Sequence, residues 1–304
     1  MALPNLIIAG VNKAGTTSLF SYLTLHPEIG ASRIKETCYF LPLRYAEPMA
    51  PIEEYTAQFE DTSGERYIME STPGYFYGGK PVAQAIKKTL GDTHIILMLR
   101  EPVGRLLSFY RFKKTMLELA ADLSLESYLE HCRKMSEEEL SRRENNVWFG
   151  IEGGRYANYL EPWFEVFGER LKVVFFDELR TDTPKLLQEI CRWLKIDESV
   201  YDEISLGVEN KTVQFRNRTL QRIALWVNDR GEQFFRGNPG VKRVLRRWYQ
   251  SMNTAQRREI ISDEQKARVK DLFLESNRQL NKILTERGYT NLPTWLEQST
   301  DKRG

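Results

Sequence analysis

Histidine and cysteine are scarce in this chain, three of each in 304 residues. Cys38, Cys132 and Cys191 are odd in number and far apart. They suggest no disulfide framework, and neither a C-x2-C pair nor a histidine cluster offers the ligand spacing of a zinc site. Charge of one sign is not in excess either. Lys and Arg number 44 against 42 Asp and Glu, a formal net charge of +2. The field of the whole chain therefore points to no nucleic-acid partner, and any anion site has to be local. No apolar run reaches the roughly 18 residues of a membrane-crossing helix. The first residues have neither the charged n-region nor the long apolar h-region of a signal peptide. The chain reads as soluble and cytoplasmic, with no transmembrane segment. Linkers rich in Pro, Gly or Ser, internal repeats and low-complexity tracts are absent too, which argues for a single domain over 1–304. Apolar residues are plentiful at 41%, enough for a sizeable core.

Four short apolar runs stand out at Leu6–Ala9, Tyr67–Glu70, His94–Leu99 and Leu171–Phe176. They are continuous rather than alternating, the pattern of strands covered on both faces. Helical periodicity separates them over Thr17–Leu25, Pro81–Leu90, Gly104–Leu119, Arg155–Phe167 and Pro184–Leu194. Strands alternating with helices imply right-handed crossovers and a parallel sheet. The expected fold is α/β, in three layers, with a central parallel sheet flanked by helices. Trp148, Phe149, Tyr156, Tyr159, Trp163 and Phe164 mostly have helical spacing and read as core. Residues 212–258 break the rhythm with many arginines among aromatics. Residues 262–287 read as one amphipathic helix with Val269, Leu272, Phe273 and Leu280 on one face. The part from about 212 to 295 is expected to pack as helices on the α/β core. The basic run from Lys242 to Tyr249 reads as a solvated helix face, with an acidic partner as the alternative.

The densest signal follows the first run, where Gly10 leads into Val-Asn-Lys13-Ala14-Gly15-Thr16-Thr17-Ser18 and a helical pattern. Strand, small-residue turn and helix N-terminus together make an anion site, because the first helical amides lack partners and the dipole favours negative charge. The loop is nearly a nucleotide P-loop, Gly-x4-Gly-Lys-Ser/Thr. Gly10 and Gly15 keep the spacing, but Thr16 stands where the lysine is required, and the loop's own lysine, Lys13, precedes the second glycine. A second signal follows the third run. Arg100 sits at a strand's carboxyl end, where open α/β sheets bind ligands, and Ser108 lies about two turns into the next helix. A forked guanidinium and a hydroxyl can grip one oxyanion. The plainer alternative pairs Arg100 with Glu101 or Glu70 and leaves Ser108 solvated. Two anion sites on neighbouring strands suggest a ligand with two phosphates.

Lys13-Ala-Gly-Thr-Thr-Ser18 after a first strand resembles the 5′-phosphosulfate loop of sulfotransferases. Arg100-x-Pro-x-x-Arg105-x-x-Ser108-x-Tyr110 resembles their 3′-phosphate motif. Two further segments are similar to the carbohydrate and bacterial branch rather than the steroid and phenol branch. Ile34-Lys35-Glu36-Thr37-Cys38-Tyr39-Phe40 resembles the segment that carries a catalytic glutamate ahead of an aromatic pair. Met69-Glu70-Ser71-Thr72-Pro73-Gly74-Tyr75-Phe76 resembles a Glu-Lys-Thr-Pro-x-Tyr-Phe segment lining the acceptor cleft, with Ser71 where lysine often stands.

The resemblance implies a P-loop-like fold and transfer of a sulfonyl group from 3′-phosphoadenosine 5′-phosphosulfate (PAPS; product PAP), with no metal. The acceptor would be a hydroxyl of a small molecule, glycan or lipid, free or carrier-bound. Residue roles follow from the same resemblance. Ala14, Gly15, Thr16, Thr17 and Ser18 would hold the 5′-phosphate. Lys13 would bind the donor and neutralise the bridging oxygen as the sulfonyl group leaves. Arg100 and Ser108 would take the 3′-phosphate, and Glu36 would be the general base. Tyr156, in a Gly-x-Tyr pattern, would face the donor, and Arg216 or Arg218, in a late covering loop, would reach the 3′-phosphate. Ser71 weighs against a highly anionic acceptor. The loops 41–58, 72–80 and 119–150 are expected to build the acceptor cleft, with 119–150 as a mobile lid.

Two other readings compete. A P-loop small-molecule kinase requires a lysine after Gly15 and an aspartate ending a later strand to hold magnesium, for which Asp177 is the candidate. A non-enzymatic nucleotide-binding protein predicts no base near the loop. For the base, His26 rivals Glu36, although Leu25-His26-Pro27 also suits a helix cap. Glu36 could equally be a surface carboxylate paired with Lys35 or Arg33. His94 reads as structural.

Overall fold

The computed structural model describes residues 3–202 and 261–297. Arg216, Arg218 and the 242–249 run lie outside the described residues, as does most of the part expected to be helical from 212 onward.

Five strands, β1 (Leu6–Gly10), β2 (Ile29–Ala31), β3 (Tyr67–Ser71), β4 (His94–Leu99) and β5 (Leu171–Phe175), form one sheet in the order β2-β3-β1-β4-β5. Every pairing is parallel, with Leu6 opposite both Met69 and His94, and Ile95 opposite Leu171. The side chains of Leu6, Ile7, Ile8 and Ile95 through Leu99 are fully buried. Each aliphatic side chain taken out of water contributes about 1.5–3 kcal/mol, so these runs alone favour a sheet sandwiched between helices. β2 has no counterpart among the expected strands. It is three residues long, includes Gly30, and only Ile29 is buried, so it offers no apolar run to detect.

The α-helices among the described residues are α1 (Thr16–Leu23), α2 (Ile52–Thr56), α3 (Gly79–Leu90), α4 (Pro102–Thr115), α5 (Leu125–Lys134), α6 (Glu137–Leu140), α7 (Ala157–Phe167), α8 (Phe176–Thr181), α9 (Thr183–Leu194), α10 (Asp263–Asp271), α11 (Leu274–Glu286) and α12 (Thr294–Glu297). They flank the sheet, with α3, α7 and α11 packed together. The five helices expected between the strands are present to within a few residues as α1, α3, α4, α7 and α9, with α4 ending at Thr115 rather than Leu119, whereas α2, α5, α6 and α8 have no expected counterpart. Of the six aromatics read as core, Phe149, Tyr156, Trp163 and Phe164 are buried, and Trp148 and Tyr159 are partly so.

The expected helix over 262–287 is two helices, broken at Leu272 and Phe273. Two separate cores explain the break. Val269 and Phe273 pack into a smaller cluster with Leu106, Tyr110 and Tyr128, whereas Leu280 and Leu284 join the main core beneath the sheet's helices. One straight helix could not serve both. Segment 119–150, expected as a mobile lid, carries secondary structure of its own. It folds as α5 and α6, and Tyr128 and Leu125 anchor it in the smaller core.

The topology fixes where a ligand can sit. From β1 the chain runs to one side (β2, β3) and then crosses to the other (β4, β5). The crevice outside the carboxyl ends of β1, β3 and β4 is therefore the switch point at which such sheets bind ligands. Gly10, Ser71 and Leu99 end those strands.

Candidate active site

The loop after β1 is held from behind by two arginines on the β4–α4 unit. Arg100 Nη1 donates to the Lys13 carbonyl at 3.0 Å, and Arg105 Nε donates to the Asn12 carbonyl at 3.3 Å. A carbonyl and the next amide in one peptide plane point opposite ways, so tying down the Asn12 carbonyl turns the Lys13 N–H outward. Among the described residues, the amides of Lys13, Gly15, Thr16 and Thr17 have no hydrogen-bond partner. Ala14 and Ser18 differ. The Ala14 amide donates to Val11 O at 3.2 Å and the Ser18 amide to Gly15 O at 3.0 Å. Ala14, buried and apolar, thus offers an anion nothing beyond its place in the loop, and the Ser18 amide is likewise spent within the turn. Gly15 is required on two counts. Its φ of +91° is left-handed, and a Cβ there would lie 2.7 Å from Phe176 Cδ2.

Lys13 also sits at a positive φ, 72°, and its ammonium lies 4.0 Å from the centre of the Phe112 ring. Burial, reinforced by the Arg100 charge, lowers its pKa from the ordinary 10.5 to about 8, while the Glu36 carboxylate pulls the other way. Arg100 stacks on the Phe176 ring at 4.4 Å, and burial lowers its pKa as well. Neither cation has a carboxylate within salt-bridge distance among the described residues. The pairing of Arg100 with Glu101 or Glu70 does not occur. Glu101 instead caps α4, accepting from the Gly104 amide at 3.1 Å. Two half-buried, uncompensated cations beside four free amides form a donor set for a polyanion.

Tyr156 is fully buried and its hydroxyl donates to the Arg100 carbonyl at 2.7 Å. It stands behind Arg100 and braces it. Ser108 lies half-buried on α4, its hydroxyl without a partner among the described residues. Arg105, unassigned from sequence, is fully buried. It joins the loop to Gly150 O at 2.7 Å, and its i+5 spacing from Arg100 was the signal available.

Across the crevice, Glu36 has φ 67° and its side chain is half exposed. Its amide donates to Ser71 O at 2.9 Å, hanging the turn from the end of β3. Its carboxylate pairs with Lys35 Nζ at 2.8 Å, one of the surface pairings foreseen, while remaining near enough to act on Lys13. His26 is out of contention as a base. Its Nδ1 accepts the Glu28 amide at 3.1 Å, so Nε2 carries the proton donated to Asp197 O at 2.7 Å, and the ring is buried. His94 is structural, edge-on to Tyr67 and Trp193. Asp177 accepts from the Trp295 indole at 3.2 Å.

From the sequence, Glu70 belongs to a cleft-lining segment or pairs with Arg100. It is completely buried at the end of β3, and burial raises its pKa against the pull of the hydroxyls around it. Thr37 Oγ1 donates to its Oε2, Tyr55 OH to its Oε1 at 2.7 Å, and Thr72 Oγ1 to its Oε2 at 3.3 Å.

A parallel sheet with a loop of partnerless amides after its first strand and an arginine just beyond the fourth defines a P-loop-like α/β fold. Residues 3–267 match the sulfotransferase domain family, and the chain belongs to that family. A crystal structure of a sulfotransferase from Alicyclobacillus acidocaldarius superposes with a TM-score of 0.60 at 24% identity, covering 74% of this chain and 92% of that one. Among curated proteins, the chain is similar to the membrane-associated sulfotransferase kil1 of Dictyostelium discoideum, 36% identical over 43% of this chain and 27% of that protein. It is 32% identical to the mouse heparan sulfate glucosamine 3-O-sulfotransferase 3B1 over 54% of this chain and 39% of that protein. It is 26% identical to a bifunctional heparan sulfate N-deacetylase/N-sulfotransferase of Caenorhabditis elegans over 98% of this chain and 31% of that protein. The chain thus spans well under half the length of these curated relatives. No helix among the described residues is long and apolar enough to cross a membrane. The name of the Dictyostelium relative lends no support to the cytoplasmic placement expected from the sequence.

Proposed function

We propose that this sulfotransferase takes its sulfonyl group from 3′-phosphoadenosine 5′-phosphosulfate and transfers it in line to a hydroxyl. The observation that carries this reading is the pairing of four partnerless loop amides with two cations, Lys13 and Arg100, that lack carboxylate partners. Such a donor set suits a ligand with phosphates at two positions. The donor supplies a sulfonate activated by its anhydride link to the 5′-phosphate. The chain's residues do the rest. The amides of Gly15, Thr16 and Thr17 at the N-terminus of α1 hold the 5′-phosphate. Arg100 and Ser108 take the 3′-phosphate, with Tyr156 fixing Arg100 from behind. Lys13 meets the negative charge that grows on the bridging oxygen, an interaction stronger in the transition state than before it. Glu36 accepts the acceptor's hydroxyl proton as the new S–O bond forms. Positioning and electrostatics supply most of the acceleration, as in phosphoryl transfer.

A sugar hydroxyl is the first acceptor to try, because one of the relatives is named as a heparan sulfate glucosamine 3-O-sulfotransferase. The kinase reading is weaker: Thr16 replaces the P-loop lysine, and the Asp177 carboxylate already accepts from Trp295. Calorimetric titration with PAP and 5′-AMP in the absence of magnesium, and with ATP both with and without it, decides between them. PAP should bind at least tenfold more tightly than 5′-AMP. Equal affinities, or binding confined to Mg-ATP, would overturn the donor assignment.

A further inference from the structure

We propose that Glu70 is a positioning residue for the acceptor side, its buried carboxylate clamping Thr37 and so holding the turn that presents Glu36. The proposal rests on the reading of Glu36 as the base. Thr37 lies between two residues with left-handed backbones, Glu36 at φ 67° and Cys38 at φ 57°. Neither is glycine, and such conformations persist only where surrounding contacts over-determine them. Those contacts converge on Glu70. Its Oε2 takes the Thr37 hydroxyl, and the same oxygen takes Thr72 Oγ1 at 3.3 Å and Tyr75 OH at 3.5 Å. Tyr55 OH occupies Oε1 at 2.7 Å. The hydroxyls then pass the constraint to the turn's backbone. The Cys38 amide donates to Thr72 Oγ1 at 3.2 Å, and the Phe40 amide donates to Tyr75 OH at 3.2 Å. With the Glu36 amide on Ser71 O, every second amide from 36 to 40 is tied to the end of β3 or to a hydroxyl that Glu70 orients.

Glu70 is not itself the base. Both its oxygens are occupied by hydroxyl donors, and it has no exposed surface through which an acceptor could reach it. Its action on the reaction runs through Thr37. A buried acceptor ringed by hydroxyls fixes the direction in which each hydroxyl points, and so fixes the lone pairs offered to the Cys38 and Phe40 amides.

Three variants test this: Glu70→Gln, Thr37→Val and Thr37→Ser. Amide hydrogen exchange read by mass spectrometry should show residues 36–40 exchanging at least tenfold faster in Glu70→Gln and Thr37→Val. Thr37→Ser, which keeps the hydroxyl, should restore the slow rate. Exchange in β1 and β4, and the Kd for PAP, should stay within about twofold of wild type. Unchanged exchange at 36–40, or equal acceleration across β1 and β4, would overturn the clamp. With a sugar hydroxyl acceptor that the wild type turns over, Glu70→Gln should lower kcat and leave the donor KM alone. The double variant with Glu36→Gln should be no slower than Glu36→Gln by itself, and additive losses would contradict action through Glu36. If PAP fails to bind the wild type, the donor assignment fails while the exchange result still decides the clamp.

Discussion

The two sides of the crevice are built from different materials. The proposed donor side is mostly backbone. Its amides are aimed by a left-handed glycine and by two arginines that pull the loop's carbonyls backward. The proposed acceptor side is mostly side chain. Its turn has no regular structure and hangs from a buried carboxylate through threonine and tyrosine hydroxyls drawn from segments 37, 55, 72 and 75. A backbone site tolerates little change of conformation but is indifferent to many side chains. A side-chain network depends on each member, because removing one leaves a buried partner unsatisfied.

Lys13→Ala should break the donor side most severely, lowering kcat by about 10³-fold, the scale of losing a pre-organised charge in the transition state. The fold should survive with Tm held or raised. At pH 7 the buried lysine is charged against the lowering of its pKa to about 8, so its removal relieves an unfavourable charge. Wild-type turnover would end its assigned role. Glu36→Gln attacks the other side, and should cost about 10²-fold in kcat while PAP affinity is kept. Loss of PAP affinity instead would place Glu36 among the donor contacts and erase the distinction between the two sides. Arg100→Gln is milder and sharper. Charge-assisted hydrogen bonds contribute about 1.5–3 kcal/mol each, so PAP affinity should fall roughly tenfold to a hundredfold while 5′-AMP affinity falls much less. Equal losses for both ligands would mean that Arg100 acts only by holding the Lys13 carbonyl.

The same contrast governs what could be read from the sequence. Four of the five strands and the loop of free amides after β1 were legible because their signals are local. Continuous apolar runs report double burial, and a strand-glycine-helix sequence reports free amides wherever it occurs. β2 was missed because three residues with a glycine among them make no pattern. The break at Leu272 and Phe273 was missed because a single apolar face does not reveal that two cores divide it. Glu70 was visible as a residue but not as a hub. Its partners come from sequence separations of 33, 15, 2 and 5, and only the fold brings them to one carboxylate. Arg105 had a motif position but no role until its guanidinium was found bracing the loop from inside the core.

The smallest expected effect is a fraction of a proton, and it separates the two sides without any acceptor. Lys13 has a folded-state pKa lowered to about 8, first by burial and then by Arg100. A bound phosphate brings negative charge to that ammonium and raises its pKa again. At pH 7 the lysine is already protonated in the free protein, so binding takes up almost no proton there. As pH rises through 8 the free protein loses that proton while the complex keeps it, and uptake should climb toward one proton per PAP near pH 9. Calorimetry in buffers of different ionisation enthalpy measures this directly. Lys13→Ala should abolish the climb and Glu36→Gln should leave it nearly intact, since the Glu36 charge is the weaker influence on Lys13 and opposes burial. A climb that persists without Lys13 would assign the proton to another group and leave the donor side without its proposed titrating cation.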